Sequence, residues 1–198
     1  MKVRALLVLG FFLCCAMLAS LVPQRVYAQQ GMKSLADRGR YLVLLGGCND
    51  CHSPKVFGPN GPMPDTTKLL SGAPSTNPVP SVPEGVLGPG KWGVLGSMDL
   101  TTWVGPWGVS FARNLTPDRE TGLGSWTEAM FLKALRTGKD MGEGRPILPP
   151  MPWEPIGKLK TDDLKAIFAY LKSLKSVHNP IHDPIPPAGN PGQAEGQK

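Results

Sequence analysis

The chain has 198 residues, a formal net charge of +6 at pH 7, 24 Gly and 22 Pro, and only 18% charged residues. That length suits one domain with a sizeable core plus terminal segments. The basic residues form no run with interleaved aromatics, so nucleic-acid binding has little support.

Residues 1–28 read as a secretory signal peptide. Lys2 and Arg4 form a basic start, Ala5 to Val22 are nearly continuously apolar, and Val26-Tyr27-Ala28 is an acceptable cleavage tripeptide. The competing reading is a retained anchor, because the apolar run is just long enough to cross a bilayer. Pro23 and the tripeptide favour cleavage after Ala28, leaving membrane association to partners or to an uncleaved leader. Cys14 and Cys15 lie inside the apolar run and not at its end, which argues against a lipoprotein. Cleavage removes Lys2, Arg4 and Arg25, so the formal charge falls from +6 to +3. It also leaves Cys48 and Cys51 as the only cysteines of a mature chain that starts at Gln29. The expected location is the periplasm.

The first element of the mature chain is expected to be a helix from about Ser34 to Leu45. Ser34 is the expected cap, and Leu35, Tyr41, Leu42 and Leu45 recur near helical spacing. Gly39 inside it costs helix stability, which points to close packing against another helix. Gly46-Gly47 ends the helix and delivers the chain to the most informative motif of the sequence.

That motif is Cys48-Asn49-Asp50-Cys51-His52, which has the C-x-x-C-H spacing that attaches a c-type haem. Two thiols three residues apart can each form a thioether to one haem vinyl group. The adjacent imidazole is then held beneath the iron as an axial ligand. A structural zinc site needs about four ligands, but no second Cys pair exists outside the leader, and His178 and His182 lie in a Pro-rich tail. A thioredoxin-like dithiol lacks the surrounding βαβ pattern. The motif therefore predicts one haem c, covalently bound through Cys48 and Cys51. Export agrees with this, since bacteria attach such haem outside the cytoplasmic membrane.

Residues 54–112 hold 10 Pro and 10 Gly and keep no sustained period of 3.6 or 2. They read as one long insertion of loops and turns. A structureless loop of this size is unusual in a compact domain, so Trp92, Trp103, Trp107 and Phe111 are expected to order it by packing. A second helix is expected from Ser125 or Trp126 to Thr137, with Ser125 or Thr127 as cap and Gly138 as stop. The last helix runs from about Thr161 to Ser173. Thr161 is its expected cap, and Leu164, Ile167, Phe168 and Leu171 make its apolar face. The domain is taken to span 29–183, and residues 184–198 read as a disordered tail.

The sixth iron ligand decides the chemistry: methionine, histidine or an open site imply different functions. Met151 lies in Ile147-Leu148-Pro149-Pro150-Met151-Pro152-Trp153, where prolines fix φ and stiffen the loop. A stiff loop suits a thioether that must hold a weak iron–sulfur bond. Met141 is the rival, in the flexible turn Lys139-Asp140-Met141-Gly142, and an open site is the remaining possibility.

The order of helix, C-x-x-C-H, loop, helix, Pro-flanked Met and amphipathic last helix resembles the class I cytochrome c family. Asn114-Leu115-Thr116-Pro117-Asp118, Thr121-Gly122, Trp126-Thr127 and Leu148-Pro149-Pro150-Met151-Pro152-Trp153 are similar to segments of bacterial periplasmic cytochrome c subunits that serve dehydrogenases. The resemblance implies an all-α haem-binding domain, with the long Pro/Gly-rich loop as its departure from a minimal cytochrome c. It implies crossed first and last helices, with Gly39 against Tyr170 or Phe168, and His52/Met151 ligation. It also implies that the Pro54 carbonyl accepts from the His52 ring N–H.

Around the haem, Trp126 and Trp153 are candidates to pack its edge or bond a propionate. Arg113 and Arg145 are candidates to pair with propionates, and Asn114 to orient them. Each has an equally good structural or surface role. The reading that follows is a one-haem electron carrier and not an enzyme in its own right. The resemblance implies a dehydrogenase as donor and an oxidase or another cytochrome as acceptor. The alternative is a haem peroxidase or a ligand-binding haem sensor with an open sixth site.

Overall fold

The structure, a computed structural model, describes residues 30–187. The expected leader and residues 188–198 of the expected tail lie outside the described residues. None of the described helices is long and apolar enough to cross a membrane.

Helix α1 covers residues 30–45. It starts earlier than expected, so Ser34 lies inside it and its hydroxyl donates to the Gly31 carbonyl at 2.8 Å instead of capping. Helix α5, Thr161–Ser173, which follows the short helix α4, Trp153–Gly157, crosses α1 at Gly39. A Cβ at Gly39 would lie 2.8 Å from Tyr170 Cβ and closer still to the Ala166 carbonyl. The missing side chain thus lets two backbones touch, with Ala166 and Tyr170 as the contact. The cap of α5 is Lys160, with no side-chain bond, and Thr161 is the first helical residue. Asp162 and Asp163 in its first turn complement the positive end of the helix dipole.

Helix α3, Glu128–Thr137, packs beneath α5 and has the ends its sequence asks for. The Thr127 hydroxyl accepts from the Met130 N–H, and Gly138 takes the left-handed conformation that closes the helix. Val43 of α1, Phe131 and Leu135 of α3, and Leu164, Ile167, Phe168 and Leu171 of α5 form the core with Leu70 and Leu123. The rings of Phe131 and Phe168 lie 5.1 Å apart at its centre.

The expected all-α class is corrected by two small antiparallel sheets within the 54–112 insertion. Strands β1, Lys55–Gly58, and β2, Gly61–Pro64, form a hairpin across Pro59-Asn60, and Gly61 has a positive φ. Strands β3, Leu95–Gly96, β4, Thr102–Gly105, and β5, Gly108–Phe111, form a second sheet in that order. Runs of four residues or fewer between Gly and Pro turns show no sustained alternation. That is why the segment lacks a period even though its Thr, Trp, Val and Phe residues suit strands.

The chain after α5 also departs from expectation. Residues 177–187 fold back along the domain. The Val177 carbonyl accepts from Asn114, the Asn179 side chain donates to the carbonyls of Ser71 and Ala73, and Ile185 exchanges two backbone hydrogen bonds with Val109 of β5. Residues 184–187, the start of the expected tail, are therefore part of the fold.

Candidate haem site

The motif folds as a single turn of helix, α2, Cys48–His52, entered through Gly47 in the left-handed conformation. Its end is held by Lys55, whose ammonium donates to the carbonyls of Asn49, Asp50 and Ser53 at 3.2, 2.8 and 2.6 Å. The Asn49 carbonyl also accepts from the Ser53 N–H at 3.3 Å, while carbonyls at a helix end commonly lack a helical partner, and a cation there complements the dipole. Buried Ser53 ties the turn to the core, because its hydroxyl donates to Asn49 Oδ1 and accepts from the Leu70 N–H.

Cys48, Cys51 and His52 line a cavity of about 210 Å³ that Met151 also lines. Leu115, Ile147, Leu148 and Phe111 give it apolar walls, while Arg113, Arg145 and Asp140 supply its charged part. Both thiols are unpaired. Burial, more than the nearby Asp50 carboxylate, pushes both above the ordinary thiol range, so they stay protonated at neutral pH. Among the described residues no group of three or more His, Cys, Asp or Glu side chains gathers to hold a metal.

His52 Nδ1 lies 2.8 Å from the carbonyl oxygen of Arg113. A carbonyl can only accept, so Nδ1 carries the proton and Nε2 is the nitrogen left with a lone pair for a metal. Burial lowers the His52 pKa, and the bond to Arg113 only partly offsets this, so the ring is neutral as a ligand must be. The Pro54 carbonyl is not the partner that the resemblance implied. It accepts from the Asp65 N–H at 2.7 Å instead, while the segment 112–114 lies against His52.

Arg113 pairs with Asp140 at 3.7 Å. The Arg145 guanidinium is lowered from its ordinary range by burial and by the charge of Arg113, against the pull of Asp140 and Asp183. Two guanidiniums thus face each other's field at one cavity, and among the described residues only that of Arg113 has a carboxylate within 4 Å, which suits carboxylate groups on a bound molecule. Two thiols, a neutral imidazole with a free Nε2, a thioether, apolar walls and a pair of guanidiniums fit a c-type haem.

Met141 does not line the cavity; it is 42% exposed in a turn with positive φ. Three further candidates are engaged elsewhere among the described residues. Asn114 is buried and bonds Thr121, Thr116 and the Val177 carbonyl. Trp126 packs on the hydrophobic core. Trp153 lies flat over Gly138, where a Cβ would come within 2.7 Å of its ring. Sequence reasoning missed Ser110, Trp103 and Asp140 at the cavity. Trp103 belonged to a group of aromatics assigned only to packing, and Ser110 carries no local signal at all.

No family model matches the chain. Curated relatives do. The cytochrome c subunit of alcohol dehydrogenase (quinone) from Gluconobacter oxydans is 28% identical over 146 residues, 73% of this chain and 22% of that protein. The gluconate 2-dehydrogenase cytochrome c subunit of Pantoea cypripedii is 28% identical over 141 residues, 71% of this chain and 23% of that one. A nicotinate dehydrogenase component from Pseudomonas putida is 38% identical over 72 residues, 36% of this chain and 6% of that protein. The chain thus spans less than a quarter of the length of each of these relatives. By these comparisons, and in keeping with the resemblance of its motifs, the chain is similar to the cytochrome c subunits of dehydrogenases.

Proposed function

We propose that this protein is a periplasmic one-electron carrier that holds a single haem c. Cys48 and Cys51 would hold it through thioether bonds, and His52 and Met151 would ligate its iron. The observation that carries this reading is the meeting of all four residues at one cavity, with Met151 on the Pro-flanked loop and Met141 outside it. When bound, haem supplies an iron that alternates between ferric and ferrous states. Thioether ligation favours the ferrous form relative to bis-His ligation.

The chain's own residues do the rest. The Arg113 carbonyl fixes the tautomer of His52. Apolar side chains exclude water, and Arg113 and Arg145 neutralise propionate charge. The names of the relatives support a dehydrogenase as electron donor, and an oxidase or second cytochrome is the acceptor in this reading. Residues 1–28 direct export and are removed after Ala28.

The test is the visible spectrum of the reduced protein with and without carbon monoxide, with Met151→Ala beside it. A wild type that ignores carbon monoxide and a variant that binds it support the reading. Ready binding by the wild type overturns it in favour of ligand chemistry at an open site. The mass of the intact purified protein checks the rest, because it reports both covalent haem and the loss of residues 1–28.

A further inference from the structure

Met151 sits in a loop with unusually few ways to be held. Pro149, Pro150 and Pro152 have no N–H to donate, so at those three positions only the carbonyl oxygens can anchor the loop. One of those anchors comes from the insertion. The Ser110 hydroxyl of β5 donates to the Pro149 carbonyl at 2.6 Å, two residues from Met151. The same hydroxyl accepts from the Trp107 indole N–H at 3.2 Å, so its one proton is committed to Pro149.

The strand that carries Ser110 is braced on both edges. On one side β4 pairs with β5 from Thr102↔Phe111 to Gly105↔Gly108. On the other, Val109 exchanges backbone bonds of 2.7 and 3.0 Å with Ile185. Gly108 lets that second contact form, since a Cβ there would come within 2.8 Å of the Pro186 backbone. Ser110 itself is only 7% exposed. A rigid strand therefore presents a buried, fully committed hydroxyl to the loop of the proposed sixth ligand.

We propose that Ser110 is a positioning residue for Met151, and that the 54–112 insertion serves the haem site by holding the methionine loop in place. This rests on the reading of Met151 as the sixth ligand. A weak iron–sulfur bond persists only if its loop does not drift. Removing the hydroxyl leaves the Pro149 carbonyl and the Trp107 N–H without their partner and frees the loop to move away.

The experiment measures imidazole affinity of the ferric full-length holoprotein, together with its methionine–iron charge-transfer band. Ser110→Ala is expected to bind imidazole roughly tenfold more tightly than wild type, in line with the loss of one buried hydrogen bond, and to weaken the band. Ser110→Thr, which keeps the hydroxyl, stays at the wild-type value. Trp107→Phe keeps the Ser110 donor but removes the indole that orients it, and it shifts the affinity in the same direction by less. This second variant reports on the proposal even if Ser110→Ala does not fold. Equal affinities in wild type, Ser110→Ala and Trp107→Phe overturn the inference. Met151→Ala distinguishes the two levels: if it binds imidazole no better than wild type, the sixth-ligand reading fails first.

Discussion

The imidazole of His52 and the main-chain carbonyl of Arg113 meet at 2.8 Å across 61 residues of sequence. The bond belongs to the backbone of Arg113 and not to its guanidinium, which points instead to Asp140. The two roles can therefore be separated. Arg113→Ala should leave the absorption spectrum unchanged, because the carbonyl remains. It should cost less than about 1 kcal/mol of stability, since the ion pair is half exposed. It should lower the reduction potential, because a cation beside the haem favours the form with one less positive charge. A redox titration beside a thermal melt checks all three, and a changed spectrum would show that the side chain also positions His52.

Gly39 is the tightest helix contact in the core. Gly39→Ala would drive its Cβ into the Ala166 carbonyl and Tyr170 Cβ, and neither lies at the end of a flexible side chain. Helices α1 and α5 must separate, at a cost of about 1–3 kcal/mol or somewhat more. Urea unfolding should show a lower midpoint with an unchanged slope. Wild-type stability would mean that the helices can slide apart freely.

Asn114 tests whether a residue of the resembling motif serves the haem or the fold. Its side chain satisfies Thr116, Thr121 and the Val177 carbonyl, and it is 1% exposed. Asn114→Ala should destabilise by about 1–3 kcal/mol or more, because buried polar partners are left unpaired. It should also loosen residues 177–187, read as faster proteolytic cleavage there, while the haem spectrum stays that of wild type. A spectral change without lost stability would restore the haem role.

Asp118 gives the acid limb of stability. Hydrogen bonds from the Thr121 hydroxyl and N–H, and from Ser176, hold its carboxyl down at about 2 against an ordinary 3.8. The folded state thus binds fewer protons than the unfolded state between those values. The contribution of Asp118 is complete above pH 3.8 and disappears as pH falls towards about 2. Unfolding midpoints across that window should fall less steeply for Asp118→Asn than for wild type. An identical slope would assign the acid limb to other carboxylates.

The parts of the fold visible in the sequence are those whose causes are local. Thr127 and Gly138 bound α3 through bonds to near neighbours, and Gly39 marks its crossing by lacking a side chain. The haem motif is equally local, since its chemistry lies within five residues. The strands were hidden because each spans four residues or fewer, although Asn60-Gly61 is a hairpin signal in its own right. The partner of His52 was unreadable because any residue at position 113 offers the same main-chain carbonyl. The return of residues 177–187 depends on Asn179 and Ile185 finding atoms 70 or more residues earlier, which no window along the chain contains.

Ser110 and Arg113 are three residues apart on one length of chain, yet they reach toward opposite ends of the site, one to the Met151 loop and one to His52. That length works as a gauge block between two jaws. Its backbone span sets the separation of the jaws, so an inserted or deleted residue between positions 110 and 113 would misalign both at once. Trimming this segment towards a minimal cytochrome would remove the spacer along with the loop.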